Sequence, residues 1–215
     1  MRFTKVLTAV VLLSTAGSLA FAEAGPARDD APVLVVLGDS LSAGYGIDVD
    51  QSWTALLQTR LAEQGYEHRV VNASISGETT EGGATRIDGI IERLAPSVVV
   101  VELGGNDGLR GLPPERTRSN LETIVGRSQA AGARVALLGI RIPPNYGPRY
   151  VRAFEGTFGQ VAAAANIPWI EFFMDGVALD EELMQGDGIH PNAAAQPILL
   201  DNAWPVITKA LGPPR

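Results

Sequence analysis

The sequence predicts an α/β fold in which helices cover both faces of a parallel sheet. Short apolar runs alternate along the chain with longer stretches whose apolar residues recur every three or four positions. This alternation is typical of strands separated by helices, and parallel strands need such crossover connections. The run at 33–37 is apolar at every position and mostly β-branched, which indicates a strand buried on both faces. A strand buried in this way requires helices on both sides of the sheet, so the two observations agree.

The elements follow one another in regular order. Strands are predicted at 33–37, 69–73, 97–103, 133–140 and 167–173. Helices are predicted at 53–64, 80–94, 113–131 and 150–165, with a last helix running from the polar loop at 185–192 to Leu211. Gly65 and Pro96 are stop signals for the first two helices, and Pro197 and Pro205 are expected to interrupt the last one. No repeat or linker divides the series, so residues 23–215 are expected to form a single domain.

Residues 1–22 have the pattern of a secretory signal peptide. Arg2 and Lys5 form a basic start, an apolar stretch covers 6–20, and Ala20 and Ala22 fit an A-x-A cleavage site. The alternative is an uncleaved anchor, but the stretch is short and weakly apolar for a membrane span. Cleavage would remove two positive charges and change the formal net charge from −7 to −9. We therefore expect a periplasmic or secreted protein without a stable membrane anchor.

Composition excludes several classes of protein. The formal charge of −7 and a pI of about 4.9 disfavour nucleic acid and anionic membranes as partners. The chain has no cysteine, which excludes a cysteine nucleophile, disulfides and thiolate metal sites. With only two histidines, His68 and His190, a metal site is not expected, and no cofactor motif is found.

Ser40 is the candidate nucleophile. It follows the first predicted strand directly, in Gly38-Asp39-Ser40-Leu41, and active groups of open α/β sheets gather where strands end. The hydrolase elbow Gly-x-Ser-x-Gly does not match, because Ser42 stands where its last glycine belongs. Asp39 is expected to hold the turn.

His190 is the candidate base, since a serine hydroxyl is inert without one. Asp187 lies three residues before it, a spacing that lets the carboxylate reach the imidazole Nδ1 and orient the ring. The alternative is a loop histidine beside a capping aspartate. His68 precedes the second strand, at the opposite sheet edge from Ser40, and is expected to be a solvated surface residue.

Two further residues are candidate oxyanion donors. Asn106 follows the third strand, where its amide is able to donate, although asparagine is also common in turns and caps. Gly77 offers an unobstructed backbone N–H, or is an ordinary loop glycine. Asp107 is expected to be a turn or cap residue.

Taken together, these segments resemble the GDSL, or SGNH, hydrolases. The motifs that carry the resemblance are Gly38-Asp39-Ser40-Leu41, Gly77, Gly104-x-Asn106-Asp107 and Asp187-x-x-His190. Longer stretches, at 71–77, 102–111 and 187–192, resemble the bacterial periplasmic thioesterase I branch, also described as arylesterase, lysophospholipase and protease I. The resemblance covers essentially the whole mature chain.

The resemblance implies a flavodoxin-like three-layer αβα sandwich with a five-stranded parallel sheet. It implies Ser40 as nucleophile, His190 as general base and acid, and Asp187 as the group that orients His190. It also implies an oxyanion hole made by the Ser40 and Gly77 backbone N–H groups and the Asn106 side chain. An adaptable acyl pocket is expected beside Leu109 and the loop that contains Ile142, Pro143 and Tyr146; the alternative is that these loops pack on the core.

The function implied is that of a secreted serine esterase, a monomer acting on small-molecule carboxylic esters and acyl thioesters, and on lysophospholipids. Its activity is expected to rise with pH through the range in which histidine side chains titrate. The same active-site residues also suit a carbohydrate acetylesterase or a peptidase. A non-catalytic flavodoxin-like binding module is the third alternative, although no phosphate-binding glycine motif follows the first strand.

Overall fold

The computed structural model describes residues 30–214, and the predicted signal peptide at 1–22 lies outside them. The strands are β1 (Val33–Gly38), β2 (Arg69–Asn72), β3 (Val98–Glu102), β4 (Arg134–Leu138) and β5 (Trp169–Ile170). They form one five-stranded sheet in the order β2-β1-β3-β4-β5, and every pairing is parallel. This is the flavodoxin-like strand order, and the predicted fold class is confirmed.

Seven α-helices lie within residues 30–214. They are α1 (Ser40–Ala43), α2 (Trp53–Glu63), α3 (Thr80–Leu94), α4 (Gly105–Leu109), α5 (Pro114–Ala130), α6 (Pro148–Ala165) and α7 (Gln196–Leu211). Short 3-10 turns occur at Val49–Gln51, Pro144–Tyr146 and Ala193–Ala195. Among the described residues, no helix has the length and apolar character needed to cross a membrane.

The three layers follow from the alternation of side chains along the buried strands. In β1, Leu34 and Val36 face a core shared with α2 and α7, whereas Val33, Val35 and Leu37 face a core shared with α3, α5 and α6. Successive side chains of a strand point to opposite faces, so a strand that is apolar at every position supplies both cores. The central strand β1 is buried along its whole length.

Helix α7 corrects one expectation from the sequence. Pro197 and Pro205 are predicted to interrupt the last helix, yet α7 is continuous from Gln196 to Leu211. Pro197 lies in the first turn, where its missing N–H has no intrahelical partner to lose. Pro205 lies inside the helix, where the buried apolar face of α7 outweighs one missing hydrogen bond.

Strand β5 is also shorter than predicted. The sequence favours a strand at 167–173, but only Trp169 and Ile170 pair with β4. The two chains approach closely at Gly139, where a Cβ would lie 2.5 Å from the Ile170 carbonyl oxygen. The Gly139 N–H still donates to that oxygen at 2.9 Å, and the Phe173 N–H donates to the Gly139 carbonyl at 2.8 Å, so the chain stays bonded to Gly139 beyond the two-residue strand.

The strand order places the segments that follow β1 and β3 next to each other. β1 and β3 are neighbours, and Gly38 is level with Glu102, so the chain leaves both strands at the same height. β2 lies on one side of β1, and β3 and the strands after it lie on the other. The direction in which strands are added therefore reverses between β1 and β3, and their carboxyl ends form the switch point of the sheet. Ligands of open α/β sheets bind in the crevice at such a point.

Candidate active site

Ser40, His190 and Asp187 form a continuous hydrogen-bonded line at this switch point. Ser40 is the first residue of α1 and follows β1 after a single intervening residue. Its Oγ lies 2.9 Å from the His190 Nε2, and the His190 Nδ1 lies 2.6 Å from the Asp187 Oδ2. These distances suit proton transfer from the hydroxyl to the imidazole, with the carboxylate opposite. The structure therefore brings together the three residues that the sequence singles out.

Asp187 combines the two roles that the sequence left as alternatives. Its Oδ1 accepts backbone N–H groups from Ile189 at 2.9 Å and His190 at 3.0 Å, which fixes a tight turn. Its Oδ2 remains available for the imidazole. The backbone N–H and the imidazole of His190, together with the Ile189 N–H, hold the pKa of Asp187 well below its usual value. The carboxylate thus stays charged throughout the range in which histidine titrates.

The loop that carries His190 is fixed from the other side by Gln185. The Gln185 N–H donates to the His190 carbonyl at 2.7 Å, and its side-chain amide donates to the Pro191 carbonyl at 3.0 Å. That same amide also donates to the carbonyl of Tyr45 at 2.7 Å. The candidate base His190 therefore lies in a loop whose backbone is held by hydrogen bonds on both sides of it. Sequence reasoning missed Gln185, since nothing local marks its long-range bond.

The candidate oxyanion donors belong to one connected network. The Asn106 amide donates to the Asp39 carboxylate at 3.1 Å and to the Glu78 carbonyl at 3.0 Å. Gly77 precedes Glu78 and has a φ of 79°, a left-handed conformation that favours glycine. The Ile75 N–H donates to the Gly38 carbonyl at 3.0 Å, which holds the glycine loop against the end of β1. Ser40, Gly77 and Asn106 are therefore linked through their immediate neighbours.

Asp39 does more than hold a turn. It is 2% exposed, caps α1 by accepting the Leu41 N–H at 3.1 Å, and accepts the Asn106 amide. Burial raises its pKa to about 6, although the Leu41 and Asn106 bonds and the nearby His190 oppose the shift. Asp39 therefore joins the turn before Ser40 to the candidate oxyanion amide of Asn106, a contact that the sequence did not predict.

Glu102 is a second buried carboxyl that sequence reasoning missed. It is fully buried at the end of β3, and its Oε2 accepts the Ser42 hydroxyl at 2.7 Å. Burial, reinforced by the charge of Asp39, raises the pKa of Glu102 well above its usual value. One acidic residue closing an otherwise apolar strand is the sequence feature that could have revealed it. Asp39 thus belongs to the turn that carries Ser40, and Glu102 bonds to Ser42 of the same short helix.

Asp107 stabilises the segment that carries Asn106. It is buried and accepts the Thr80 N–H at 2.9 Å and the Thr80 hydroxyl at 2.5 Å. These bonds tie α4 to the first residue of α3. The segment from Gly105 to Leu109, which follows β3, forms the short helix α4.

The predicted acyl-pocket residues lie beside α4 but differ in exposure. The Tyr146 hydroxyl donates to the Leu109 carbonyl at 2.7 Å, which joins the two loops, and Leu109 is 39% exposed. Pro143 is exposed, whereas Ile142 is buried in the core cluster. The structure thus leaves Leu109 and Pro143 exposed, whereas Ile142 is buried in the core and Tyr146 packs half-buried against it, as the alternative had it for these two.

His68 lies just before β2, at the amino edge of the sheet and away from Ser40. The expectation of a solvated side chain is wrong, because His68 is only partly exposed and packs edge-on against Tyr66, with ring centroids 6.3 Å apart. The Tyr66 ring, two residues earlier in the chain, contributes to this partial burial.

A flavodoxin-like sheet with a Ser–His–Asp line at its switch point defines the class of the protein, a serine hydrolase. Comparison with known proteins gives the family. Residues 36–197 match the model of the GDSL-like lipase/acylhydrolase family, and the chain belongs to that family. The resemblance found in the sequence is confirmed, and the protein is a serine ester hydrolase.

Individual relatives agree with this assignment. The chain is 51% identical over 181 residues to the esterase TesA of Pseudomonas aeruginosa, spanning 84% of this chain and 90% of that protein. A crystal structure of TesA superposes with a TM-score of 0.81, covering 83% of this chain and 99% of the other. The thioesterase 1/protease 1/lysophospholipase L1 of Escherichia coli is 44% identical over 171 residues, which are 80% of this chain and 81% of that protein. An arylesterase of Vibrio mimicus is 43% identical over 164 residues, 76% of this chain and 82% of the relative.

Proposed function

We propose that this protein hydrolyses carboxylic esters, both aryl and alkyl, and acyl thioesters through an acyl-Ser40 intermediate. The observation that carries the proposal is the line from Asp187 through His190 to Ser40, with distances of 2.6 and 2.9 Å. The His190 ring thus contacts both the hydroxyl of Ser40 and the carboxylate of Asp187. The reaction needs no cofactor in this scheme.

In the first step, the Ser40 Oγ attacks the carbonyl carbon of the ester. The Oγ–H proton passes to the His190 Nε2, and the carbonyl π electrons move onto the oxygen to give a tetrahedral oxyanion. The Nδ1–H of His190 donates to Asp187, whose charge stabilises the imidazolium. The carbon–oxygen or carbon–sulfur bond then breaks, and the imidazolium returns its proton to the leaving group.

In the second step, water takes the place of the serine. His190 accepts a proton from the water as its oxygen attacks the acyl carbon, and then returns that proton to Ser40 as the acyl bond breaks. The products are a carboxylic acid and the regenerated enzyme. The same imidazole therefore acts once as base and once as acid in each half of the cycle.

The oxyanion is proposed to bind the Ser40 and Gly77 N–H groups and the Asn106 amide. Gly77 supports this role because a Cβ there would meet nothing within 4 Å, which leaves its surroundings open. Asn106 already donates to Asp39 and Glu78, so it must share or exchange one of these bonds when the oxyanion forms. Preorganised donors of this kind stabilise charge that develops only in the transition state.

The substrate range is inferred from the relatives and from the surface around the site. The names of the similar proteins span aryl esters, thioesters and lysophospholipids. Large apolar side chains are exposed in the loops that carry the proposed catalytic residues, among them Ile75, Leu109 and Ile189. Apolar surface of this kind suits an acyl or aryl group. We propose lysophospholipids as substrates on the same grounds.

Export is part of the proposal. The pattern at 1–22 predicts cleavage after Ala22, which would leave the domain at 23–215 in the periplasm or outside the cell as a monomer. Fractionation followed by intact-mass measurement tests this: a periplasmic species beginning at Glu23 is expected. A full-length protein retained in the membrane fraction would contradict it.

The substrate proposal is tested with kcat/KM for p-nitrophenyl esters from acetyl to palmitoyl, with palmitoyl-CoA and lysophosphatidylcholine alongside. Ser40→Ala serves as the control. A profile that reaches long acyl chains and includes the thioester is expected, and it should disappear in the variant. Activity confined to acetyl esters would replace the proposal with a carbohydrate acetylesterase, and cleavage of peptides alone would replace it with a peptidase.

A further inference from the structure

Tyr45 is an aromatic residue beside the proposed base that the reaction scheme leaves unused. Its ring centroid lies 4.5 Å from that of His190, and the two ring planes are inclined by 39°. Tyr45 follows the C-cap of α1, and its N–H donates to the Ser40 carbonyl at 3.2 Å. The same short segment therefore carries the proposed nucleophile and places an aromatic face against its base.

Hydrogen bonds hold the backbone of both loops that form this contact. The Gln185 side chain donates to the Tyr45 carbonyl at 2.7 Å and to the Pro191 carbonyl at 3.0 Å, which ties the two loops together. Gly46 has a φ of 76°, and a Cβ there would collide with the Gln185 carboxamide. The loop is thus shaped to bring Tyr45 against His190.

We propose that Tyr45 is a positioning residue whose ring holds the His190 imidazole in line with Ser40 and stabilises the imidazolium that forms during acyl transfer. The inference rests on the proposed function, because it takes His190 as the base. An aromatic face attracts a cation through its quadrupole, and the attraction exists only while the imidazole is protonated. The ring therefore favours the transition state over the resting enzyme.

The charged groups that face His190 are Asp187, at 2.6 Å from the Nδ1, and the buried Asp39 behind Ser40. Both also favour the imidazolium, and neither changes when Tyr45 is substituted. The effect of the ring is therefore separable from theirs. Tyr45 is 52% exposed, so its substitution leaves no large cavity in the core.

The test is the pH profile of kcat/KM for Tyr45→Leu, Tyr45→Phe and Tyr45→Trp with p-nitrophenyl butyrate. Tyr45→Leu is expected to lower kcat about two- to fivefold with little change in KM, and to move the acid limb about 0.3–0.7 pH unit lower. Tyr45→Phe should keep the wild-type profile, since it keeps the ring. Tyr45→Trp, which presents the strongest aromatic face, should move the acid limb higher.

The direction of the shift separates this role from simple shielding. A ring that only excluded water would destabilise the imidazolium, so its removal would move the acid limb to higher pH and overturn the proposal. An unchanged profile in Tyr45→Leu would overturn it as well. Tyr66→Leu, which alters a tyrosine that packs against His68 and Trp204 instead of His190, is the control and should leave the profile unchanged. Loss of all activity in Ser40→Ala and His190→Ala shows that the proposed function holds even where the Tyr45 inference fails.

Discussion

The sharpest mutational prediction concerns Asn106, because its amide has both a structural and a proposed catalytic role. Asn106→Ala removes the donor to Asp39 at 3.1 Å, the donor to the Glu78 carbonyl at 3.0 Å and the proposed oxyanion donor. The first two losses act on the folded state and the third acts only during catalysis. Stability and turnover therefore measure the two roles separately.

The magnitudes follow from the surroundings of the amide. Losing one oxyanion donor lowers kcat by about a hundred- to a thousandfold, which corresponds to about 2.7–4 kcal/mol. Asp39 is 2% exposed and accepts only from Leu41 once the amide is gone, so unfolding should become easier by about 1–3 kcal/mol. A change of that size lowers the Tm by about 2–4 °C per kcal/mol in a domain of this length.

The assay compares Asn106→Ala with Asn120→Ala, measuring kcat with p-nitrophenyl butyrate and Tm by thermal unfolding. Asn120 donates its amide to the Thr80 hydroxyl at 3.0 Å, so its loss tests a similar bond without a catalytic role. Both variants should lose stability, and only Asn106→Ala should lose turnover. A kcat within about threefold of wild type in Asn106→Ala, with a lowered Tm, would refute the oxyanion role.

Two further predictions rest on the acidic side chains of the site. Asp187→Asn should lower kcat about a hundred- to a thousandfold. The loss should be smaller than for a fully buried orienting carboxylate, because the Asp187 side chain is 39% exposed and water partly replaces it. Single-turnover kinetics measure this loss, and a loss below about tenfold would contradict the orienting role. The raised pKa of Asp39, about 6 against 3.8, means that the folded protein prefers the protonated form. Its contribution to the free energy of unfolding is therefore present below about pH 4 and falls by about 3 kcal/mol as the pH rises through 6. Urea titrations across this range should show a steeper loss in the wild type than in Asp39→Asn, where the raised pKa of Glu102 still contributes a loss of the same sign. Equal slopes in the two proteins would argue against the role of Asp39.

The fold was predictable because its determinants are local. A strand such as β1, apolar at every position, indicates burial on both faces, and the intervening helices follow from apolar spacing. The length of β5 and the continuity of α7 were not predictable, because they depend on tertiary contacts. After Ile170 the chain bonds to Gly139 without further strand pairing, and the buried face of α7 outweighs the hydrogen bond that Pro205 removes.

The candidate site divides in the same way. Ser40, Asp187 and His190 stand out in the sequence through motifs beside strand and loop ends, and the structure places them in contact. The contacts of Tyr45 with His190 and of Asp39 with Asn106 join residues far apart in the chain, with no local pattern to mark them. Their roles depend on geometry that only the folded sheet creates.

Trapping the acyl-enzyme tests the central claim most directly. The protein is mixed with excess p-nitrophenyl ester, quenched in acid within the first turnover, digested and examined by mass spectrometry. One acyl group per chain is expected, on the peptide that contains Ser40, and Ser40→Ala should carry none. An acyl group on another residue, or full hydrolysis by Ser40→Ala, would contradict the mechanism.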